Sequence, residues 1–428
     1  MESSALLQSF VDYDQSTHFP LENIPFGCFV TSDGQTHCCT RIGDFVFDLA
    51  NLFDKFTGPC FSSLNGNNIF AKSNLNDFAA LGKEFRIEAR ETLQQLFSKD
   101  NEASKDALMA HAVPIGDAKM AMPVFIRDYT DFYSSKNHAY NIGVMFRGKD
   151  NALQPNWTHL PVGYHGRASS IVIDGTPVQR PKGQVTQDGK SGVWSACMRL
   201  DFELEMGTII GKGNDLGTPI KVNNAKDHIF GYTMLNDWSA RDIQKWEYVP
   251  LGPFLAKNFQ STISPWVITP EALAPFKCAL PAQEPTLLPY LQDNDLSAYD
   301  LQLNVLIKTP KMGDDWHVLS QSNMKHLYYS VAQTIAHHSV TGCNMSAGDM
   351  LGSGTISSTE KTGYGSMVEL CWGGAEPIQL PSGEERKFLV DGDEINLTAH
   401  ATSPAGFTIG FGDCRGAILP AKGDEEYF

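Results

Sequence analysis

Leu200-Asp201-Phe202-Glu203-Leu204-Glu205-Met206 alternates without interruption between apolar and acidic residues. Successive side chains on a β-strand point to opposite faces, so the stretch reads as a strand with Leu200, Phe202, Leu204 and Met206 toward a core. Glu203 and Glu205 must then point the same way. Side chains two apart on a strand sit ~6.5–7 Å apart at the backbone, close enough for both carboxylates to converge on one cation. A half-exposed strand with a solvated acidic face would carry the same pattern.

Further short β-like runs, separated by Gly and Pro, lie at 170–174, 301–308, 366–372 and 394–399, and the run begun at Leu200 extends to Gly211. Helical patterns interrupt them only around 239–248 and 323–337, which predicts a mostly β, mixed-sheet domain. Upstream, Phe26 to Asp48 gives short apolar stretches broken by Ser32-Asp33-Gly34 and Ile42-Gly43-Asp44, the rhythm of a small antiparallel barrel. Phe85, Ala89, Leu93 and Phe97 recur every fourth residue, the stripe of an amphipathic helix packed on one side. A polar stretch at 98–106 and a connector through Val113-Pro114-Ile115-Gly116-Asp117 to Met122-Pro123 place the boundary near residue 120. The expected domains are therefore 1–120 and 121–428.

Lys plus Arg number 33 against 49 Asp plus Glu, a net charge of −16, and no basic cluster stands out, so a nucleic-acid partner is not expected. No apolar run approaches the ~18 or more residues of a membrane span. Met1-Glu2-Ser3-Ser4-Ala5-Leu6-Leu7 carries an acid where a signal peptide carries basic residues, and the nine cysteines are odd in number without a C-x-x-C pair. Reduced thiols in a cytoplasmic protein fit that usage. Gly183 with Gly189-Lys190-Ser191 imitates a P-loop with one residue too many and without the flanking strand and helix, so nucleotide binding is rejected.

Three more stretches carry chemistry. In 236–248, a helix from about Trp238 would line Arg241, Gln244 and Tyr248 along one face with Asp237 at its start, although an ordinary Asp cap would look alike. Residues 128–138 pack acids, phenols and His138 into a region poor in aliphatics, followed by Arg147 and Tyr164-His165-Gly166-Arg167, which suits a site wall better than a core. The glycines of 344–355 let backbone approach a ligand closely or simply turn the chain. His337-His338 lacks such company and reads as structural.

Together these runs resemble the fumarylacetoacetate hydrolase family over essentially the whole chain. The most specific are 128–138, Asn156-Trp157-Thr158-His159-Leu160-Pro161-Val162-Gly163-Tyr164-His165-Gly166-Arg167, 236–255 and Gly354-Thr355-Ile356-Ser357. The resemblance implies an N-terminal SH3-like barrel, a C-terminal β-roll holding the site, and a homodimer. It implies hydrolysis of 4-fumarylacetoacetate, a small diketo dicarboxylate, to fumarate and acetoacetate at the end of tyrosine and phenylalanine breakdown. By similarity Asp131, Glu203, Glu205 and Asp237 are calcium ligands, and His138 is the general base, oriented by Glu369. Tyr133, Arg147, Tyr164, Gln244, Tyr248 and Thr355 match substrate contacts; Arg241, Gln244 and Lys257 match the oxyanion-stabilising set. A magnesium position near Asp237, Lys257 and Ser261 is also implied, but this chain reads Gln260-Ser261 where related sequences carry Gly-Thr, which weakens it. Four carboxylates without Cys or His make a hard, all-oxygen donor set suited to Ca²⁺ or Mg²⁺ rather than zinc. The expected reaction passes through attack of a water-derived hydroxide on the ketone beside the scissile bond and loss of an acetoacetate carbanion. Acylpyruvate hydrolases, oxaloacetate decarboxylases and a metal-binding structural protein without turnover are the rival readings.

Overall fold

The computed structural model describes residues 6–428; most of the Met1–Leu7 stretch lies outside the described residues. Three sheets organise the chain. The first is an antiparallel five-stranded sheet of β1 (Phe26–Val30), β2 (Thr36–Ile42), β3 (Phe45–Asp48), β4 (Ala112–Pro114) and β5 (Lys119–Ala121), in the order β4-β3-β2-β1-β5. Helix α1 (Lys83–Leu96) packs beside it, burying Ala89 and Leu93, with Phe97 just past its end. The stretch expected to be a connector thus supplies two strands. Each is only three residues long, too short to show an alternation.

The second sheet holds the site. Its strands are β6 (Tyr129–Phe132), β7 (Gly163–His165), β8 (Ile171–Ile173), β9 (Leu204–Ile210), β10 (Ile229–Asn236), β11 (Ser261–Ile263) and β14 (Met350–Gly352), ordered β7-β6-β14-β9-β10-β11-β8. A third sheet contains β12 (Gln302–Lys308), β13 (His317–Asn323), β15 (Glu394–Thr402) and β16 (Cys414–Leu419), ordered β13-β12-β15-β16 and ending on Val178–Gln179. Phe26 exchanges backbone hydrogen bonds with Val267 at 3.0 and 2.7 Å, and the N-terminal apolar core runs on through Ile209, Phe230, Leu235 and Met350. The first sheet therefore buttresses the site-bearing one.

The helices are α2 (Lys136–Arg147), α3 (Arg241–Glu247), α4 (Leu255–Asn258), α5 (Val331–Ser339) and α6 (Met367–Leu370). Three expectations are corrected here. The helix expected over 239–248 begins only at Arg241, because Ser239–Ala240 pairs with Leu200–Asp201 as a short bridge of strand. That expected over 323–337 starts at Val331: Asn323 ends β13, and Ser330 with Gln333 forms a capping box that fixes the start. The strand expected over 366–372 is instead α6, whose first two free N–H groups, those of Met367 and Val368, donate to the Asp201 carboxylate at 2.6 and 3.1 Å. Of the tandem histidines, His337 pairs with the Tyr290 hydroxyl and His338 with Thr130, the bland reading. The P-loop-like segment is a hairpin of Lys182–Val185 and Val193–Ala196.

Candidate active site

The alternation from Leu200 places its apolar members in the core, but the acidic face is equally buried: Asp201 and Glu205 are 0% exposed and Glu203 is 4% exposed. The solvated-face alternative is thereby removed. Asp131 on β6 and Asp237, one residue past β10, complete a cluster in which one oxygen from each of Asp131, Glu203, Glu205 and Asp237 lies within 4.8 Å of the others. Gly352 makes room for it. A Cβ there would stand 2.8 Å from Asp131 Oδ1 and 3.1 Å from Glu205 Oε2.

Four buried carboxylates repel one another, and their environments differ in how they are answered. Burial and the neighbouring acids push Asp131 and Glu205 well above the carboxylate range. Asp131 Oδ1 and Glu205 Oε1 are buried without a hydrogen-bond partner. Burial also raises Asp237, though Lys257 opposes it, with Nζ 2.6 Å from Asp237 Oδ2. For Glu203 burial is overcome by Lys257, Arg241 and His138, which hold it low. Both of its oxygens are taken, one by Arg241 at 2.7 Å and the other by Lys257. Two buried carboxylate oxygens without partners call for positive charge, and an all-oxygen donor set suits a hard divalent cation.

Beside the cluster stands a second device. His138 sits in the first turn of α2, held by the Ser135 cap, and its Nδ1 lies 2.7 Å from Glu369 Oε2. Glu369 also accepts from Asn141 at 2.9 Å, from Ser357 at 2.9 and 3.0 Å and from Ser366 at 2.7 Å. Burial would raise this carboxyl, but the His138 imidazole and these donors outweigh it and hold Glu369 below its ordinary range. An ionised carboxylate only accepts, so Nδ1 carries the hydrogen, and in the neutral imidazole that tautomer puts the lone pair on Nε2. The Tyr133 ring meets the imidazole edge-on at 5.3 Å between centroids.

Arg241 donates through Nε to Asp201 at 2.8 Å and through Nη1 to the Gln244 carbonyl at 3.2 Å. With its carbonyl occupied, Gln244 keeps its –NH₂ group for another acceptor. Arg147 is tied to the Asn151 and Ala152 carbonyls at 3.0 and 2.6 Å. Thr355 Oγ1 is buried and unpartnered. Ser261 Oγ donates to Asp237 Oδ1 at 2.8 Å, and the Tyr164 hydroxyl reaches Asp237 Oδ2 at 3.3 Å.

One cavity of about 420 Å³ gathers these groups: of the residues anticipated for the site, all but Asp237, Glu369 and Ser261 line it, and of these Glu369 bonds His138, Asp237 bonds Lys257 and Ser261 bonds Asp237. A residue that sequence reasoning passed over is Asp201, whose Oδ2 accepts from Arg241 Nε and from the Val368 N–H and whose Oδ1 accepts from the Met367 N–H, so one carboxylate holds Arg241 and caps α6, the carrier of Glu369. Its signal was present, since the parity that aligns Glu203 with Glu205 aligns Asp201 too. Asn141, one helical turn after His138, was likewise missed.

The family described as "Fumarylacetoacetate (FAA) hydrolase C-terminal" matches residues 128–418, and "Fumarylacetoacetase N-terminal" matches residues 22–123. The fumarylacetoacetase of Dictyostelium discoideum is 51% identical over 97% of this chain and 99% of its own. That of Homo sapiens is 48% identical over 96% and 99%, and that of Arabidopsis thaliana 46% over 97% and 99%. Among solved structures, the fumarylacetoacetate hydrolase of psychrophilic Exiguobacterium antarcticum superposes with a TM-score of 0.52 at 16% identity, covering 93% of this chain and 100% of that one, a likeness of fold.

Proposed function

The chain belongs to the fumarylacetoacetate hydrolase family, and from that premise we propose that it hydrolyses the carbon–carbon bond of 4-fumarylacetoacetate to give fumarate and acetoacetate, the last step of tyrosine catabolism. The observation that carries the reading is the His138–Glu369 pair beside four clustered buried carboxylates, with His138, Asp131, Glu203 and Glu205 lining one cavity. Asp131, Glu203, Glu205 and Asp237 would hold a Ca²⁺ ion, a reading that their two orphaned oxygens and hard donor set support. A magnesium position at Asp237, Lys257 and Ser261 is less well furnished. The Lys257 ammonium, kept charged by Asp237 and Glu203 despite its burial, cannot ligate, so its side chain offers that ion nothing. A bound cation supplies a Lewis acid for the diketone oxygens and compensation for the cluster.

The chain's own groups do the rest. Arg147 meets a substrate carboxylate, with Tyr133, Tyr164, Tyr248 and the free Thr355 hydroxyl fixing the chain of the substrate between them. His138 Nε2 takes a proton from water, and the hydroxide adds to the carbonyl carbon next to the scissile bond. Arg241, Lys257 and the Gln244 amide face the oxyanion that forms, which lets a protein of net charge −16 stabilise an anion locally. Collapse of the tetrahedral adduct sends the bonding pair to the acetoacetate carbon, where the proton held at His138 ends. One water is consumed: its first proton ends on the acetoacetate carbon, its second leaves the new fumarate carboxyl for solvent, and both products depart as carboxylates.

We also read residues 1–120 as an SH3-like domain and 121–428 as a catalytic β-roll. The first sheet closes at Ala121, which supports that boundary. A cytoplasmic homodimer completes the reading; nine unpaired cysteines fit a reducing compartment. Among the described residues no helix is long and apolar enough to cross a membrane. The direct test is spectrophotometric. Purified protein with Ca²⁺ should bleach the absorbance of fumarylacetoacetate and release fumarate and acetoacetate in equal amounts; a stable absorbance would defeat the proposal.

A further inference from the structure

Between α3, which carries Arg241 and Gln244, and α4, which carries Lys257, residues 248–254 form a loop at the mouth of the cavity, and Leu251, Gly252 and Pro253 line it. Little apolar packing within this chain holds that loop. Val249 is 65% exposed, Leu251 97% and Phe254 67%. Its two ends are joined instead by one carboxylate. Glu247, the last residue of α3, accepts the N–H of Phe254 at 2.8 Å and of Ala256 at 2.8 Å on Oε1, and that of Leu255 at 3.1 Å on Oε2. These are the otherwise free amides at the start of α4, a helix too short to be stable alone.

We propose that Glu247 is a positioning residue: by clasping the start of α4 to the end of α3 it presents Lys257 and Tyr248 to the cavity in one fixed arrangement. Three N–H···O⁻ bonds to a single ionised group are strong for their size. Lys257 lies one residue beyond the last clasped amide, and Tyr248 follows Glu247 directly. Releasing the clasp frees the loop at both ends, so the ammonium between Asp237 and Glu203 and the phenol at the mouth lose their common reference. No atom of Glu247 needs to touch the substrate. The proposal rests on the functional reading above, since it assigns Lys257 and Tyr248 their tasks from that reading.

Wild type, E247Q and E247A are compared in fumarylacetoacetate turnover and in amide hydrogen exchange, each with Ca²⁺ present. The Gln oxygen can keep part of the clasp, whereas Ala keeps none. E247A should lose about 100-fold in kcat/KM, divided between lower kcat and higher KM, with E247Q between it and wild type. The amides of residues 254–256 should exchange at least ~10-fold faster in E247A while the core strands stay protected. A purely structural role would lower the unfolding midpoint and leave kcat and KM within twofold, and that result overturns the proposal, as does unchanged exchange at 254–256. If E247A does not fold, E247Q is read by the same criteria. A wild type that fails to turn over the substrate defeats the functional reading instead, and the exchange experiment still decides whether the clasp exists.

Discussion

His138→Ala should lower kcat for fumarylacetoacetate by about 10³-fold, within the range general-base removal commonly costs, while Ca²⁺ binding stays at the wild-type level. The two halves of that result follow from the geometry together. The imidazole is the one group in the cavity with a free basic nitrogen fixed by an ionised partner, since Glu369 occupies Nδ1. It contributes no oxygen to the acidic cluster, so the cluster should bind its ion without it. Glu369→Gln should cost a comparable amount, because both Glu369 oxygens accept from donors and a glutamine –NH₂ turned toward Nδ1 would fix the wrong imidazole tautomer and leave the imidazolium without a carboxylate. Steady-state kinetics with calorimetric titration of Ca²⁺ read both halves. Turnover close to normal in His138→Ala would remove the base from the mechanism.

Stripping the protein with a chelator should reduce turnover by at least ~100-fold, a loss consistent with the several kcal/mol that a metal ion contributes to transition-state charge, and excess Ca²⁺ should restore it. The thermal midpoint should move in parallel, because a ligand at 100 times its Kd adds about 2.7 kcal/mol to folding stability. Glu205→Gln separates the cation from the rest of the site. Glu205 is fully buried, is repelled by Asp131, Glu203 and Asp237, and has one oxygen without a partner. Neutralising it should raise the midpoint of the stripped protein by relieving that repulsion, yet abolish the upward shift on adding Ca²⁺ and leave activity unrestored. A stripped midpoint that falls in Glu205→Gln, with a Ca²⁺ shift equal to wild type, would mean that the cluster is held together by something other than a cation.

How much of this could be read before the structure depends on what each segment packs against. Glu203 and Glu205 were legible because alternation sends the acids away from Phe202, Leu204 and Met206, although the run expected as one strand from Leu200 breaks: Leu200–Asp201 pairs separately, β9 starts at Leu204, and Glu203 joins only by a bridge to Ser366. The helix α2 was not. Its buried members are His138, Ala139, Asn141 and Gly143, small or polar because that side faces the site and not an oily core, so no apolar stripe marks it. Met367–Leu370 fails in the opposite sense. Its apolar residues fit a strand, and the choice of helix is made by Asp201, a residue far away in sequence. The convergence of Asp131, Glu203, Glu205 and Asp237 was available from family resemblance alone, since their strands meet only through the crossovers of the seven-stranded sheet.

Crystals of the protein grown with Ca²⁺ and measured for anomalous scattering offer the sharpest test. One peak should stand among the carboxylates of Asp131, Glu203, Glu205 and Asp237, at ~2.3–2.6 Å from their oxygens and beside the His138 imidazole. A map empty there, with the ion bound elsewhere or not at all, would contradict the assignment of these four acids as the seat of the chemistry.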